Sequence, residues 1–532
     1  DHLNSGDGWV NNLVPGEPDL MRGDTSNIRL KLAAEPSDTV SLDLMYVKTK
    51  ATGPQEHLTW VTFNPDTATA GGTPQLVTAG KTFEPFNTHV NGKNDSDREF
   101  ELVGLTLEWD MGWATLKSIT AQQDFDDLVE ADRDLTDAPL FDIVDTNNIE
   151  AFTQEINILG SSDRVDWVLG AFYLREKWNR GFVFSNAEPV FFLPFPSQFI
   201  NTQPKQDTDS MSWFFDATFE VTDRARLSAG VRRTEDEVDE YHLNQGFGVI
   251  PGVGQILLFV GCDKAEQVDW GATTIRLVGQ YDVNDNGNVY ASYTEGYKAG
   301  GIAAGECAPP YNPETVDAFE LGYKATLGGT TTLSAAAFHY DYENFQVAQI
   351  IGITPVTRNA GDAEVRGFEL ELSSSTLDEN WTVSGAVTLL DTEYGDFLNL
   401  DGLQRARGFI QNKGNPLNHA PKTSVNLGVT YNAPAVWGGN LTLRIDAAYR
   451  SRTYFREFKN ELDSQSAYTV FNVNANWESD DGKWGARLFA RNATDEDYLL
   501  YVLGSSGVGA RYGSYGPARQ VGMEVTRRFG SY

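Results

Sequence analysis

The sequence of 532 residues lacks long apolar runs. No stretch approaches the roughly 18–20 consecutive apolar residues that a membrane-spanning helix needs, so a helical membrane protein is excluded. No basic segment followed by an apolar one stands near Asp1, so no secretory signal is visible. Because Asp1 is not an initiator methionine, we expect that the natural protein has an upstream segment.

Positive charge is also scarce. The chain has 41 Lys and Arg against 75 Asp and Glu, a formal net charge of -34. A protein that binds nucleic acid needs a basic face for the phosphates. We therefore expect no nucleic-acid partner.

Cysteine is nearly absent, with two residues, Cys262 and Cys307. Two cysteines are too few for a disulfide scaffold. Both lie in segments that we predict below to be loops. A disulfide between them is one interpretation if the compartment is oxidising, and two unpaired thiols are the other.

Motifs of catalysis are missing. The sequence has no His-Glu-x-x-His, no P-loop and no Cys-x-x-Cys. The histidines show no spacing typical of metal ligands; they are His2, His57, His89, His242, His339 and His419. We predict that the protein is not an enzyme and has no catalytic residues and no metal site of this kind.

What the sequence has is aromatic residues and period-two alternation. It contains 30 Phe, 21 Tyr, 12 Trp and 50 Gly, a composition typical of all-β chains. In 441–450, Leu441, Leu443 and Ile445 alternate with polar residues, among them Arg444 and Asp446. The same pattern recurs in 28–32, 211–221, 319–327, 425–431 and 521–525. Long strands with one apolar and one charged face predict a transmembrane antiparallel β-barrel.

The connections between these strands alternate in length. Short turns, such as 35–38 and 284–287, are predicted to lie in the periplasm, and the long polar connections are predicted to be extracellular loops. The predicted long loops are 50–97, 126–147, 179–205, 240–265, 299–312, 397–419 and 495–516.

The number of strands in the sequence is about 19 by this pattern. The first, near 25–34, would begin on the loop side, and the last, near 518–529, would end on the turn side. A single-chain bacterial barrel has an even strand count with both ends in the periplasm. Parity therefore predicts that residues 1–532 form one barrel domain without its first strands, and about 22 strands would imply a plugged lumen.

Several segments resemble the barrel of TonB-dependent receptors. They are Tyr-Ala-Ser-Tyr-Thr-Glu-Gly-Tyr-Lys-Ala-Gly-Gly at 290–301, Asn-Pro-Glu-Thr-Val at 312–316, Phe-Glu-Leu-Gly-Tyr-Lys at 319–324, Asn-Ala-Gly-Asp-Ala-Glu-Val-Arg-Gly-Phe-Glu at 359–369 and Arg-Asn-Ala-Thr-Asp-Glu-Asp-Tyr at 491–498. Their order and spacing over 290–529 carry the resemblance. Residues 1–289 agree with the family in pattern more than in motif.

The resemblance implies a 22-stranded barrel in the bacterial outer membrane. It implies an N-terminal plug, absent from this chain, that contacts the TonB complex, and active uptake of a scarce, bulky nutrient. Ferric siderophores are the commonest substrates in the family, although the acidic loops fit an anionic ferric chelate poorly. Haem, cobalamin, oligosaccharides and aromatic compounds are alternatives, as are a passive porin-type channel and a soluble all-β binding protein or glycoside-processing enzyme.

Arginines on or near the polar faces are the first candidates for ligand binding, because the guanidinium fork matches carboxylate and phosphate. They could equally pair with carboxylates of the lumen or with a plug. Aromatic residues in or beside loops could line an external site, or form loop cores or an interfacial girdle. We select Tyr311, Phe345, Arg366 and Arg450 as candidate substrate-binding residues. The wider sets are Arg226, Arg232, Arg276, Arg444 and Arg487, with Phe191, Phe192, Phe195 and Phe199.

The segment 124–145 is densely acidic. It is either a solvated extracellular loop or a site for divalent cations, binding Ca²⁺ itself or sharing cations with anionic lipopolysaccharide of the outer membrane. Its acidic residues are Asp124, Asp126, Asp127, Glu130, Asp132, Asp134, Asp137, Asp142 and Asp145.

Overall fold

A computed structural model describes the chain apart from residues 1, 6–7, 54–58, 64–83, 93, 134, 136, 138–141, 187–197, 251–253, 303–308, 352–353, 376–379, 405–406, 435, 506–509 and 530–532. Strands dominate the described part, and a short 3-10 helix spans Glu461–Asp463. Within the same part, no helix is long and apolar enough to cross a membrane.

The strands number 31 in the described residues. They are β1 (His2–Ser5), β2 (Asn11–Asn12), β3 (Gly23–Ser37), β4 (Val40–Thr52), β5 (Thr59–Phe63), β6 (Asn87–Thr88), β7 (Asp95–Asp110), β8 (Thr115–Asp132), β9 (Asp142–Ser161), β10 (Val165–Asn186), β11 (Gln198–Thr222), β12 (Ala225–Ile250), β13 (Gly254–Asn284), β14 (Gly287–Lys298), β15 (Glu314–Leu327), β16 (Thr331–Glu343), β17 (Gln346–Ile351), β18 (Thr354–Asn359), β19 (Ala363–Ser375), β20 (Trp381–Tyr394), β21 (Leu398–Leu400), β22 (Phe409–Gln411), β23 (Thr423–Ala433), β24 (Gly439–Arg450), β25 (Thr453–Tyr454), β26 (Ser464–Gln465), β27 (Tyr468–Ser479), β28 (Trp484–Arg491), β29 (Leu499–Ser505), β30 (Ala510–Tyr515) and β31 (Gln520–Arg527).

One large antiparallel sheet contains 20 of these strands. In space they follow one another as β1, β3, β4, β7 to β16, β19, β20, β23, β24, β27, β28 and β31, and each pairs with its neighbour in the chain through short turns on one side. The other strands form three small antiparallel pairs, the parallel pair of β2 and β6, and a three-stranded sheet of β29, β30 and β5. The predicted all-β class and the up-and-down antiparallel order are confirmed.

The large sheet has two edges among the described residues. β31 pairs with β28, and β3 pairs with β4 and, over four residues, with β1. No pairing in the described part joins β31 to β1 or β3. The predicted missing strands and plug stay a prediction.

The two faces of the sheet differ as the alternation predicts. In β24, Leu443 and Ile445 lie exposed on the outer face, with Val429 and Val473 beside Ile445 on the adjacent strands. Arg444 and Asp446 lie on the opposite face, which lines the lumen. Registered pairing keeps this apolar outer stripe continuous from strand to strand, because side chains alternate across a strand.

Strand length changes along the sheet. β9 to β13 have 20, 22, 25, 26 and 31 residues, whereas β23, β24, β27, β28 and β31 have 11, 12, 12, 8 and 8. The predictions of loops at 126–147, 179–205 and 240–265 are therefore wrong for most of these residues. The strands continue beyond the apolar stripe because a paired ladder satisfies the backbone N–H and C=O groups outside the membrane as well as inside it.

Candidate functional site

The connections that follow β16, β20, β24 and β28 pack together above the sheet, and we call them the loop assembly. Its apolar core consists of Val347, Ala360, Ala363, Tyr394, Phe397 and Leu417. Phe345 packs against this core, with its ring centroid 5.4 Å from that of Tyr342 and 6.1 Å from that of Tyr394. These contacts give Phe345 a packing role, and its predicted ligand contact stays a prediction.

A buried chain of alternating charges ties three of these connections together, and we call it the ion chain. Arg456 Nη2 donates to Asp401 Oδ1 at 2.9 Å, and Arg456 Nη1 donates to Asp463 Oδ2 at 3.1 Å. Arg511 Nε donates to Asp463 Oδ1 at 2.6 Å. Asp401 and Asp463 are fully buried and Arg511 is 1% exposed. Two cations and two anions cancel, which is what charges removed from water require.

The ion chain is not fully satisfied. Arg511 Nη1 and Nη2 and Asp401 Oδ2 are buried without a hydrogen-bond partner among the described residues. An unmade hydrogen bond at a buried charged group is costly. The loop assembly therefore depends strongly on the contacts that the four residues do make.

A small cavity of about 110 Å³ lies beside the ion chain. Arg456, Glu457, Phe458, Asn399 and Asn418 contribute to its lining. Asn399 Nδ2 donates to Glu457 Oε1 at 2.5 Å, and the Arg456 guanidinium lies 4.9 Å from the centre of the Phe458 ring. Burial raises the pKa of the Glu457 carboxyl. Amide groups, a carboxyl with a raised pKa and an aromatic wall suit a small polar group of a ligand.

Gly504 allows this arrangement. A Cβ at position 504 would lie 2.9 Å from Arg456 Cζ and 2.8 Å from a side-chain carbon of Leu403. A larger residue at position 504 would therefore require Arg456 or Leu403 to shift.

Tyr311 lies in the connection between β14 and β15. Its backbone forms an antiparallel bridge with Gly301, with N···O distances of 3.1 and 2.9 Å. Burial raises the pKa of the Tyr311 hydroxyl, and the nearby Glu240 carboxylate adds to the effect. Tyr311 is thus held close to the upper part of β12.

Arg450 and Arg366 lie on opposite faces of the sheet. Arg450 is on the lumen face and donates to Asn426 Oδ1 at 3.2 Å. In the strand register, Arg366 lies opposite His339 on one side and Asp391 on the other. It shares its face with the exposed Phe368. The placement of Arg366 on a lumen-facing surface is therefore wrong: alternation along β19 puts it on the outer face, above the apolar stripe.

The other arginines support the structural alternative that we left open. Arg226 pairs with Asp282 at 2.6 Å, Arg276 with Asp216 at 2.9 Å and Arg444 with Asp446 at 2.6 Å, all on the lumen face. Arg487 donates to Asn474, and Arg232 lies over the Phe214 ring.

The four candidate residues do not form one site. Tyr311 and Phe345 lie in linked connections, because Gln346 Nε2 donates to Asn312 O at 3.1 Å. Arg366 faces away from the lumen, and Arg450 ends a different strand. Phe191, Phe192 and Phe195 lie outside the described residues, and only the backbone of Phe199, in β11, is described.

The acidic segment 124–145 is not a loop over most of its length. Its residues up to Asp132 belong to β8, and those from Asp142 onward belong to β9. Arg98 pairs with Asp127 at 2.7 Å and Arg180 pairs with Asp145 at 2.7 Å, so two of the carboxylates already have cationic partners. In the described part of the segment, no group of three carboxylates converges as a cation site. Ca²⁺ binding stays a prediction.

Cys262 lies within β13 and is 4% exposed, so its predicted place in a loop is wrong. Cys307 lies outside the described residues. The disulfide between the two stays a prediction.

Two histidine groups escaped the sequence prediction. His242 Nδ1 lies 3.5 Å from Glu240 Oε1 on the lumen face of β12. On the outer face, His339 lies 3.0 Å from Asp341 and 3.5 Å from Glu364. Glu240 and His242 are two positions apart in one strand, and so are His339 and Asp341. This spacing puts side chains on one face of a strand. That spacing was visible in the sequence.

Comparisons with known proteins agree with this geometry. The family described as "TonB dependent receptor-like, beta-barrel" matches residues 44–493. No curated protein matches the sequence.

Solved structures with a similar fold include two receptors and a copper transporter. The ferric yersiniabactin uptake receptor FyuA from Yersinia pestis has 18% identity and a TM-score of 0.77, covering 99% of this chain and 74% of that chain. The siderophore receptor PiuA from Acinetobacter baumannii has 16% identity and a TM-score of 0.70, with coverage of 95% and 74%. The copper transporter OprC has 13% identity and a TM-score of 0.67, with coverage of 99% and 75%.

Proposed function

The chain belongs to the TonB-dependent receptor β-barrel family, and we propose that it takes up a scarce, bulky nutrient across the outer membrane of a bacterium. The observation that carries the proposal is the wall itself: a continuous apolar stripe outside, paired charges inside and a loop assembly above one end. A passage for a polar cargo requires a polar inner face and a wall that lipid can surround.

The proposed mechanism has three steps. The loop assembly binds the ligand outside, and the cavity beside Arg456 and Glu457 receives one polar group of it. The TonB complex pulls on a plug of the kind that the family resemblance implies. The ligand then moves along the lumen face, where pairs such as Arg444–Asp446 keep the wall polar.

A ferric siderophore is the proposed ligand. FyuA and PiuA, named for ferric yersiniabactin and for siderophores, support this class by their fold, although their identities of 18% and 16% do not extend to ligand contacts. The net charge of -34 favours chelates that are neutral or cationic. Haem, cobalamin, oligosaccharides and aromatic compounds are the alternatives.

Uptake by living cells tests the proposal. The full-length gene is expressed in a bacterial host with and without TonB, and cells are given a panel of ⁵⁵Fe-labelled siderophores and radiolabelled cobalamin. We expect saturable accumulation of one ligand that requires the gene, TonB and the proton gradient. Accumulation that is unaffected by loss of TonB would overturn active uptake.

The passive channel is tested in the same preparation. The full-length protein is inserted into planar bilayers and its conductance is measured. A large permanent conductance would support a porin-type channel, and a closed baseline agrees with a plugged transporter. Lipopolysaccharide is the proposed lipid around the upper wall, and its retention during purification in mild detergent tests that contact.

A further inference from the structure

We propose that Glu240 and His242 form a binding site for a divalent transition-metal ion of the zinc class. Both residues belong to β12, two positions apart, and both side chains point to the lumen face. The Glu240 side chain is 1% exposed and the His242 side chain is 5% exposed. The site is separate from the cavity beside Arg456 and does not depend on which ligand is transported.

The first argument is that these two side chains are buried without hydrogen-bond partners. Both carboxylate oxygens of Glu240 and both ring nitrogens of His242 lack a hydrogen-bond partner among the described residues. Buried polar groups are almost always hydrogen-bonded, and an exception calls for an explanation such as a missing ion. Two adjacent buried groups with four orphaned polar atoms, all of metal-ligating types, point to one common ligand.

The second argument is the spacing. Glu240 Oε1 and His242 Nδ1 are 3.5 Å apart, longer than a good hydrogen bond between these atoms. Two ligands at about 2.1 Å from a tetrahedral zinc ion are about 3.4 Å apart. The pair is thus spaced as two neighbouring ligands of one ion.

A further ligand is within reach. Glu266 lies directly opposite Glu240 in the register of β12 and β13, on the same face. Cβ atoms of directly opposed residues are about 4.5–5.5 Å apart, so a side-chain rotation brings the Glu266 carboxylate toward the same ion. It now accepts a 2.7 Å contact from Lys264, which is 46% exposed and able to swing into water.

The exposed group around His339 does not satisfy the same tests. One ligand atom each from His339, Asp341 and Glu364 lie within 4.8 Å of one another, but these groups already pair, Asp341 with His339 Nε2 at 3.0 Å and Glu364 with His339 Nδ1 at 3.5 Å. Glu364 also accepts Arg366 Nε at 2.9 Å. This group is better described as an ion-pair network, and it provides a matched control.

Metal binding by the full-length protein in detergent tests the proposal. Zn²⁺ is titrated by equilibrium dialysis against the wild type, Glu240→Gln, His242→Gln and His339→Gln. We expect the wild type and His339→Gln to bind one more equivalent of Zn²⁺ than Glu240→Gln and His242→Gln do. Equal stoichiometry in all four proteins, or loss only in His339→Gln, would overturn the site.

A second measurement needs no variant. Co²⁺ replaces Zn²⁺ in the wild type, and the visible absorption reports its ligands. Intense d–d bands of four- or five-coordinate Co²⁺ with nitrogen and oxygen ligands are expected, and they should disappear on adding excess Zn²⁺. A spectrum equal to that of hexaaqua Co²⁺ would contradict the proposal even if a variant failed to fold.

Discussion

Two regions of the sheet differ in how the chain folds beyond the apolar stripe. β9 to β13 continue as a tall ladder, up to 31 residues in β13, and their upper parts carry charges on both faces. β23 to β31 have 8 to 12 residues in the large sheet, and the chain beyond them folds into hairpins around the ion chain. The first region satisfies its backbone N–H and C=O groups by long strand pairing, and the second satisfies them in short strand pairs around buried side chains.

This difference places stability in different contacts. In the tall ladder, ion pairs such as Arg233–Glu235 are about half exposed, and exposed pairs contribute roughly 0–1 kcal/mol each. In the loop assembly, Asp463 and Arg511 are buried, and loss of one partner leaves an unpaired charge in a low dielectric. We therefore expect single substitutions to have larger effects in the loop assembly.

The largest effect is expected for Asp463→Asn. It removes the carboxylate that both Arg456 and Arg511 contact, leaving buried charges unpaired at a cost of about 3–5 kcal/mol. Hydrogen exchange measured by mass spectrometry should show faster exchange in peptides covering 399–412, 455–465 and 510–515. Asp495→Asn, which breaks the exposed Arg519–Asp495 pair, is the control and should change little. Equal protection from hydrogen exchange in Asp463→Asn and wild type would contradict the expectation that the loop assembly depends on its buried ion pairs.

A smaller effect is expected for Arg180→Lys in the tall ladder. Arg180 makes a two-pronged contact with Asp145, at 2.9 and 2.7 Å, and lies 4.8 Å from the centre of the Phe182 ring. Lysine reproduces neither the fork nor the stacking, and we expect a loss of about 1–2 kcal/mol. Exchange in the upper parts of β9 and β10 measures it, with Lys50→Gln as the exposed control. A loss greater than that of Asp463→Asn would reverse the ranking of the two regions.

The smallest effect, and one of opposite sign, is expected for Glu457→Gln. Burial raises the pKa of Glu457, so the carboxyl binds its proton more tightly in the folded state than in the unfolded state. The stabilisation from this tighter proton binding is present at low pH and is lost as pH rises through the folded pKa. Each unit of pKa shift corresponds to about 1.4 kcal/mol. Glutamine keeps an acceptor for Asn399 and carries no charge, so the variant should be slightly more stable than wild type at pH 7.5.

The difference should vanish below about pH 4, where the unfolded carboxyl is protonated as well. Thermal unfolding in detergent at both pH values measures it. A variant less stable than wild type at pH 7.5 would show that the charged form of Glu457 is the stabilising one.

Alternation allowed the strands that cross the membrane to be predicted, since a one-residue shift would turn Leu443 and Ile445 inward. It failed for 179–205 and 240–265, because above the membrane both faces meet water and polar strands look like loops. It also misplaced Arg366, whose outward position is fixed by its register with His339. Cys262 was predicted to lie in a loop for the same reason, since the upper part of β13 lacks a clear apolar face.

The candidate site was predicted less well than the fold. Tyr311 and Phe345 do lie near the upper end of the sheet, but the ion chain joins Asp401, Asp463 and Arg511 across separations of 62 and 48 residues. No local pattern marks such contacts. Glu240 and His242 could have been recognised by their spacing of two in a strand, but their burial could not.

The sequence by itself determined the all-β class, the alternating faces and the family, because these depend on residue periodicity and on short motifs. The tertiary structure alone decided how far β10 to β13 extend, which way Arg366 faces and which charges are buried together. These outcomes depend on cross-strand register and on contacts between distant connections, and a single segment of sequence contains neither.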